Sequence, residues 1–135
     1  MKMNYQAQMS KQVTPVSEIM SSPVRTVARE TPIPEAARLL RKNSIGSLVV
    51  EGEVIEGIVT ETDIVAAVAA ERTLQSTTVE EIMTEPVVTA RPQEPIAAAG
   101  RRIAKNAVKK LPVTVDGEAV GIVTTTDLAH FVPDS

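Results

Sequence analysis

The sequence predicts an α+β fold made of two copies of one unit, each running helix-strand-helix-strand-strand-helix. Three observations lead there. The stretch Gly57-Ile58-Val59-Thr60-Glu61-Thr62-Asp63 returns as Gly121-Ile122-Val123-Thr124-Thr125-Thr126-Asp127. Short apolar runs bounded by turn residues alternate with segments whose aliphatic residues recur at helical spacing. The core material is small and aliphatic, since the 135 residues include one Tyr, one Phe and no Trp.

Taken in order, residues 1–14 are polar without a sustained period and are expected to form a flexible arm. Val16, Ile19 and Met20 lie at i, i+3 and i+4, one helical turn, which Ser21-Ser22-Pro23 ends. Val24 to Val27 reads as a short strand. Thr31-Pro32 then opens a helix, with Thr31 as N-cap and Pro32 in the first helical position. Ile33, Ala36, Ala37 and Leu40 form its buried face, and Asn43 marks its stop. Leu48 to Val50 and Val54 to Val59 form a hairpin around Gly52. Ile64, Val65, Val68 and Ala69 carry a closing helix, and 72–78 is a polar linker.

The same succession then returns. Val79, Ile82 and Met83 repeat the first turn, and Met83 stands 63 residues after Met20. Pro86-Val87-Val88-Thr89 repeats the first strand, and Ile96, Ala99, Gly100 and Ile103 repeat the helix stripe. Asp127 stands 64 residues after Asp63, so one residue has been inserted. The insertion falls at Asp116-Gly117, a two-residue hairpin turn signal, where a structural repeat tolerates it. The expected organisation is an arm (1–14), a first unit (15–71), a linker (72–78) and a second unit (79–132). Neither unit buries its own sheet well, so the two are expected to pack sheet to sheet with pseudo-twofold symmetry.

Composition narrows the function. A net charge of −3 argues against a nucleic-acid surface. With only Tyr5 and Phe131 as aromatic residues, the usual stacking platform for single strands is missing. The absence of cysteine excludes a disulfide framework, a thiolate metal site and a thiol nucleophile. No apolar run is long enough to span a bilayer, and no signal-peptide core is present, which points to a cytoplasmic protein. His130, the single histidine, has no catalytic partner in sequence and reads as a surface or helix-end residue. No nucleophile is paired with a base, and there is no Gly-rich phosphate loop, so an enzyme is not expected.

Thr60 with Asp63, and Thr124 with Asp127, fit a helix N-cap in which Thr accepts a backbone amide and Asp favours the positive end of the helix. The same geometry suits a ligand. A helix end can receive phosphate, while a carboxylate accepts hydrogen bonds from the hydroxyls of a ribose. Both roles are open on the residues alone.

Both units resemble cystathionine β-synthase (CBS) motifs, and the pair resembles a Bateman module. Val16-Ser17-Glu18-Ile19-Met20, Val79-Glu80-Glu81-Ile82-Met83, Leu111-Pro112-Val113 and the two Gly-Ile-Val-Thr-x-Thr-Asp copies carry the likeness. It covers about residues 15 to 131. It implies adenosine sites in clefts between the motifs. One site would combine Thr60 and Asp63 with Thr84, Val87, Val108, Lys109 and Lys110. The other would combine Thr124 and Asp127 with Ser21, Thr26, Ile45, Gly46 and Ser47. On that grouping the first site gains two lysines able to meet phosphate, unless these are only a solvated turn. Relatives in this family often carry Arg or Lys just before the Asp, whereas Thr62 and Thr126 stand here, which favours AMP over ADP or ATP. No cofactor or metal is required.

The function implied is a regulatory module that senses an adenosine nucleotide and transmits its state to a partner protein, with the closing helices pairing in a homodimer or simply filling the core. Two alternatives stand beside it: an interaction scaffold with empty clefts, and a sensor of S-adenosylmethionine.

Overall fold

The computed structural model describes residues 13–85 and 87–131. The expected arm falls almost wholly outside them, as does Pro86. The chain has an α+β architecture in two compact units. The central unit spans Val24–Val87, and the terminal unit joins the residues up to Pro23 to those from Val88 onward. These units are not the two sequence repeats, because the first helical turn of each repeat packs with the sheet of the other.

In the central unit, β1 (Thr26–Ala28) runs parallel to β2 (Ser47–Glu51), and β2 pairs antiparallel with β3 (Ile55–Thr60). α1 (Ile33–Asn43) connects β1 to β2, α2 (Glu61–Ala69) follows β3 directly, and α3 (Val79–Ile82) comes from the second repeat. The α1 stripe buries Ile33, Ala36 and Leu40, while Ala37 is only half-buried. Val27, Leu48, Val50 and Val59 of the sheet close on that stripe and on Val79 of α3.

The terminal unit mirrors this arrangement. A 3-10 turn (Val16–Glu18) from the first repeat meets α4 (Ile96–Asn106), the hairpin β4 (Lys110–Val115) with β5 (Glu118–Thr124), and α5 (Thr125–His130). Val16 lies in one core with Ala99, Ile103, Leu111, Val113 and Val123. Val16 and Val79 are both 0% exposed. At roughly 25 cal/mol per Å² of apolar surface, each contributes on the order of 2 kcal/mol to a sheet that its own repeat does not supply.

Backbone bonds fix each borrowed turn. The Val16 amide donates to the Glu94 carbonyl at 2.8 Å, and the Val79 amide donates to the Thr31 carbonyl at 2.9 Å. The Ile33 amide in turn donates to the Thr77 carbonyl at 3.0 Å, beside a bridge between Pro32 and Thr78. That bridge holds Pro32 extended, with ψ of 149°, so Pro32 is the N-cap and Ile33 the first helical residue. The expectation of Thr31 as cap is corrected by one position for this reason.

The first strand of the second repeat is also corrected. Among the described residues it is reduced to one parallel bridge, Ala90 with Val113. The bond from the Val49 amide to the Arg25 carbonyl in the first repeat has no counterpart here, since Pro112 stands in the place of Val49 and has no N–H to give. Arg102 Nη1 donates to the Thr89 carbonyl at 2.8 Å. The same guanidinium reaches Glu94, with Nη2 at 2.7 Å from Oε2, and Glu94 Oε1 accepts the Arg91 amide at 3.0 Å. The Asp116-Gly117 turn matches its expectation, with φ of 51° and 83°, the two positive values a tight hairpin of this hand requires.

Two glycines beneath the borrowed turns permit close approach. A side chain at Gly57 would meet Met83, down to its Cβ at 3.1 Å. One at Gly121 would meet Met20 and the Ser21 carbonyl oxygen at 3.1 Å. Gly100 in α4 differs, because nothing lies within 4 Å of its missing Cβ. Gly100→Ala is therefore expected to raise stability by about 0.5–1 kcal/mol through helix propensity. Gly57→Val is expected to lower it by about 1–3 kcal/mol through overpacking. Chemical denaturation followed by far-UV circular dichroism measures both, and equal effects would refute the contrast.

Burial pushes the Glu94 carboxyl up, but Arg102, the Arg91 amide and the Arg91 charge together hold it below its ordinary value of 4.5. A depressed folded pKa adds stability above the unfolded value that is lost as pH falls through the folded one. Glu94→Gln should cost about 1–2 kcal/mol near neutral pH. The difference from the native chain should shrink progressively below about pH 4.5, as read from denaturation midpoints across pH.

Candidate functional site

Each hairpin ends in a cap that doubles as a polar corner. At the end of β3 the Thr60 amide donates to Asp63 Oδ2 at 2.9 Å, and the Asp63 amide donates to Thr60 Oγ1 at 3.3 Å. At the end of β5 the Thr124 amide donates to Asp127 Oδ2 at 2.9 Å, and the Asp127 amide donates to Thr124 Oγ1 at 3.1 Å. The capping boxes expected from the sequence are thus present. The first amide of each helix is also engaged, Glu61 with the Gly46 carbonyl at 3.3 Å and Thr125 with the Lys109 carbonyl at 3.0 Å. Two of the first three amides of each helix are thus spent within the chain.

Asp63 and Asp127 are half-buried, with one carboxylate oxygen committed to each cap. The borrowed turns supply the next residue of each corner. Thr84 bridges to Ile58 in both directions, at 3.2 and 2.8 Å, and its Oγ1 donates to Asp63 Oδ1 at 3.4 Å. Ser21, the matching residue of the first repeat, bridges to Ile122 at 2.9 and 3.0 Å. Each corner therefore joins the Thr-Asp pair of one repeat to a hydroxyl residue of the other.

The start of the hairpin's first strand completes the corner. Ser47 pairs with Thr60 and Lys110 pairs with Thr124. The structure brings Thr60, Asp63, Thr84, Gly46 and Ser47 together in the central unit, which also holds Ile45, Val87 and Thr26. It brings Thr124, Asp127, Ser21, Lys109 and Lys110 together in the terminal unit, where Val108 packs against the core. Within each hairpin the first residue of one strand stands beside the last residue of its partner, which sets Ser47 by Thr60 and Lys110 by Thr124. Thr26 is exposed on β1, opposite Val49.

Two open grooves of about 510 Å³ adjoin the helices. In the central unit the groove is lined by Leu40, Arg41, Ile45, Gly46, Glu61 and Ile64, so it shares Ile45 and Gly46 with the corner. In the terminal unit it is lined by Val88 and by Ala98, Arg101, Arg102, Lys105 and Asn106 of α4. Neither groove was evident from sequence. Among the described residues no group of three or more His, Cys, Asp or Glu side chains is placed to hold a metal ion. Among the described residues no helix is long and apolar enough to cross a membrane.

Comparison with known proteins agrees with the duplicated architecture. The family model of the CBS domain matches twice, at residues 16–70 and 79–134. The chain is 32% identical over 115 residues to the CBS domain-containing protein YhcV of Bacillus subtilis, covering 84% of this chain and 82% of that one. It is 36% identical over 124 residues to a homoserine O-acetyltransferase of Methanohalobium evestigatum, covering 90% of this chain but only 24% of that enzyme. Among solved structures, the CBS domain pair of protein MJ0100 in complex with 5′-methylthioadenosine and S-adenosyl-L-methionine superposes with a TM-score of 0.78. It is 36% identical and covers 87% of this chain and 94% of that one.

Proposed function

Since the chain belongs to the CBS domain family and carries two copies of the domain, we propose that it is a non-catalytic sensor binding an adenosine compound at its Thr-Asp corners. The observation that carries this reading is the half-buried Asp63, one oxygen capping its helix and the other turned to Thr84 of the second repeat. A carboxylate so held accepts from ribose hydroxyls without having to reorganise. Asp127 makes the same cap, and Ser21 of the first repeat bridges to Ile122 on the strand that leads into it. Aliphatic residues such as Ile45 and Val108 would flank the adenine, as ligand pockets are mostly apolar with a few polar anchors. The complex of the MJ0100 domain pair supports the adenosine class. AMP, ADP, ATP, methylthioadenosine and S-adenosylmethionine are the compounds to compare.

Binding would alter a cytoplasmic partner protein only by favouring one of two arrangements of the module, which requires different affinity for each. The module would act as a homodimer. Val65 and Val68 on the outer side of α2 are 65% and 55% exposed, an apolar face of the kind that a second copy covers. Val65→Glu/Val68→Glu should shift a dimer to monomer in sedimentation velocity with the fold retained, and a native chain already monomeric would refute the pairing.

Calorimetry of the full chain with the adenosine series tests the sensing role. Asp63→Asn and Asp127→Asn should each weaken one site by roughly tenfold or more, the cost of losing a hydrogen bond to a charged group. A ligand at about 100 times its Kd should raise stability by about 2.7 kcal/mol in a thermal melt. No heat and no shift with any of the series would favour an interaction scaffold.

A further inference from the structure

The basic groove on α4 takes no part in the polar corners. We infer that it is a docking surface for an acidic segment of a partner protein, and this stands whatever the corners bind. The groove lies wholly within the terminal unit, lined by Val88 and by Ala98, Arg101, Arg102, Lys105 and Asn106, with no carboxylate among them. Its cations differ in what they are free to do. Arg102 is spent inside the unit, on the Thr89 carbonyl at 2.8 Å and on Glu94 at 2.7 Å. Arg101 and Lys105 are exposed and enter no ion pair among the described residues. Standing four residues apart, they share one face of α4, with Cβ atoms about 6 Å apart.

The matched face of α1 shows that this is not a general property of the repeat. Arg38 and Lys42 are the counterparts of Arg101 and Lys105, but Glu35 and Leu39 stand where Ala98 and Arg102 do. Leu39 packs against the central core, and Glu35 sets a carboxylate one turn from Arg38. In contrast α4 holds no acidic residue, so its two free cations have no acid on their own helix. With a net charge of −3 the chain as a whole repels an acidic peptide, and the attraction has to arise locally. An extended segment presents side chains on one face about every 6.6 Å. That is close to the spacing of Arg101 and Lys105, so alternate acidic residues can meet both. Val88 and Ala98 give aliphatic atoms of such a segment an apolar floor, whereas a nucleic acid would find no aromatic ring for its bases.

The test is fluorescence anisotropy of a labelled octapeptide of alternating Glu and Ala, titrated with the full chain. The native protein is compared with Arg101→Gln/Lys105→Gln and with Arg38→Gln/Lys42→Gln, and thermal melts establish that each variant is folded. The native chain should bind the peptide, more weakly as salt is raised, and should not bind its counterpart with Gln in place of Glu. The Arg101/Lys105 variant should bind roughly fivefold or more weakly, while the Arg38/Lys42 variant should match the native chain. No binding at low salt, an unchanged affinity in the Arg101/Lys105 variant, or equal losses in the two variants overturns the assignment. So does a single-stranded oligonucleotide that binds more tightly than the peptide and is lost in the Arg101/Lys105 variant, since the groove would then be a nucleic-acid site.

Discussion

Val16 and Val79 are the residues on which the arrangement turns. Each begins a repeat, yet each is fully buried in the core built by the other repeat's sheet. Burial of a single valine is modest in energy, but its position is decisive. Only with Val79 seated can Thr84, five residues on, meet the edge of β3, and only with Val16 seated can Ser21 meet the edge of β5. The polar corners are consequences of this borrowed packing. The glycines beneath Met83 and Met20 serve the same end, since any larger residue would push the borrowed turn outward.

The hairpins impose the second constraint. Because β2 returns antiparallel as β3, its first residue must lie beside the cap that starts α2. The same holds for β4, β5 and α5. Each corner thereby draws its cap, its acid and its strand start from one repeat and its hydroxyl partner from the other. Duplication has kept the carboxylate and cap alike in both corners while the strand starts have diverged, to Gly46-Ser47 in one and Lys109-Lys110 in the other.

Much of this was legible in the sequence, for local reasons. The repeat, both hairpins, the Asp116-Gly117 turn and the Thr-Asp caps depend on residues a few positions apart, and spacing reports those directly. The exchange was not legible. Periodicity shows that Val16 and Val79 belong to an apolar face but is silent on which core receives it. The first strand of the second repeat read well and is nearly absent, because Pro112 stands where Val49 of the first repeat donates its amide to the neighbouring strand. The roles of Gly57 and Gly121 were hidden for a related reason: the methionines above them come from the other repeat.

The borrowed turns also determine what severing the chain would do. A cut between Glu71 and Thr78 leaves the N-terminal fragment with a sheet lacking Val79 and a turn with no sheet of its own to fill. The C-terminal fragment is left in the complementary position. Neither piece is an autonomous folding module, and each carries what the other needs. Fragments made this way have a built-in reason to recombine, with their complements or with identical copies that offer the same vacant groove, so the linker sets the local concentration that keeps the pairing within one molecule.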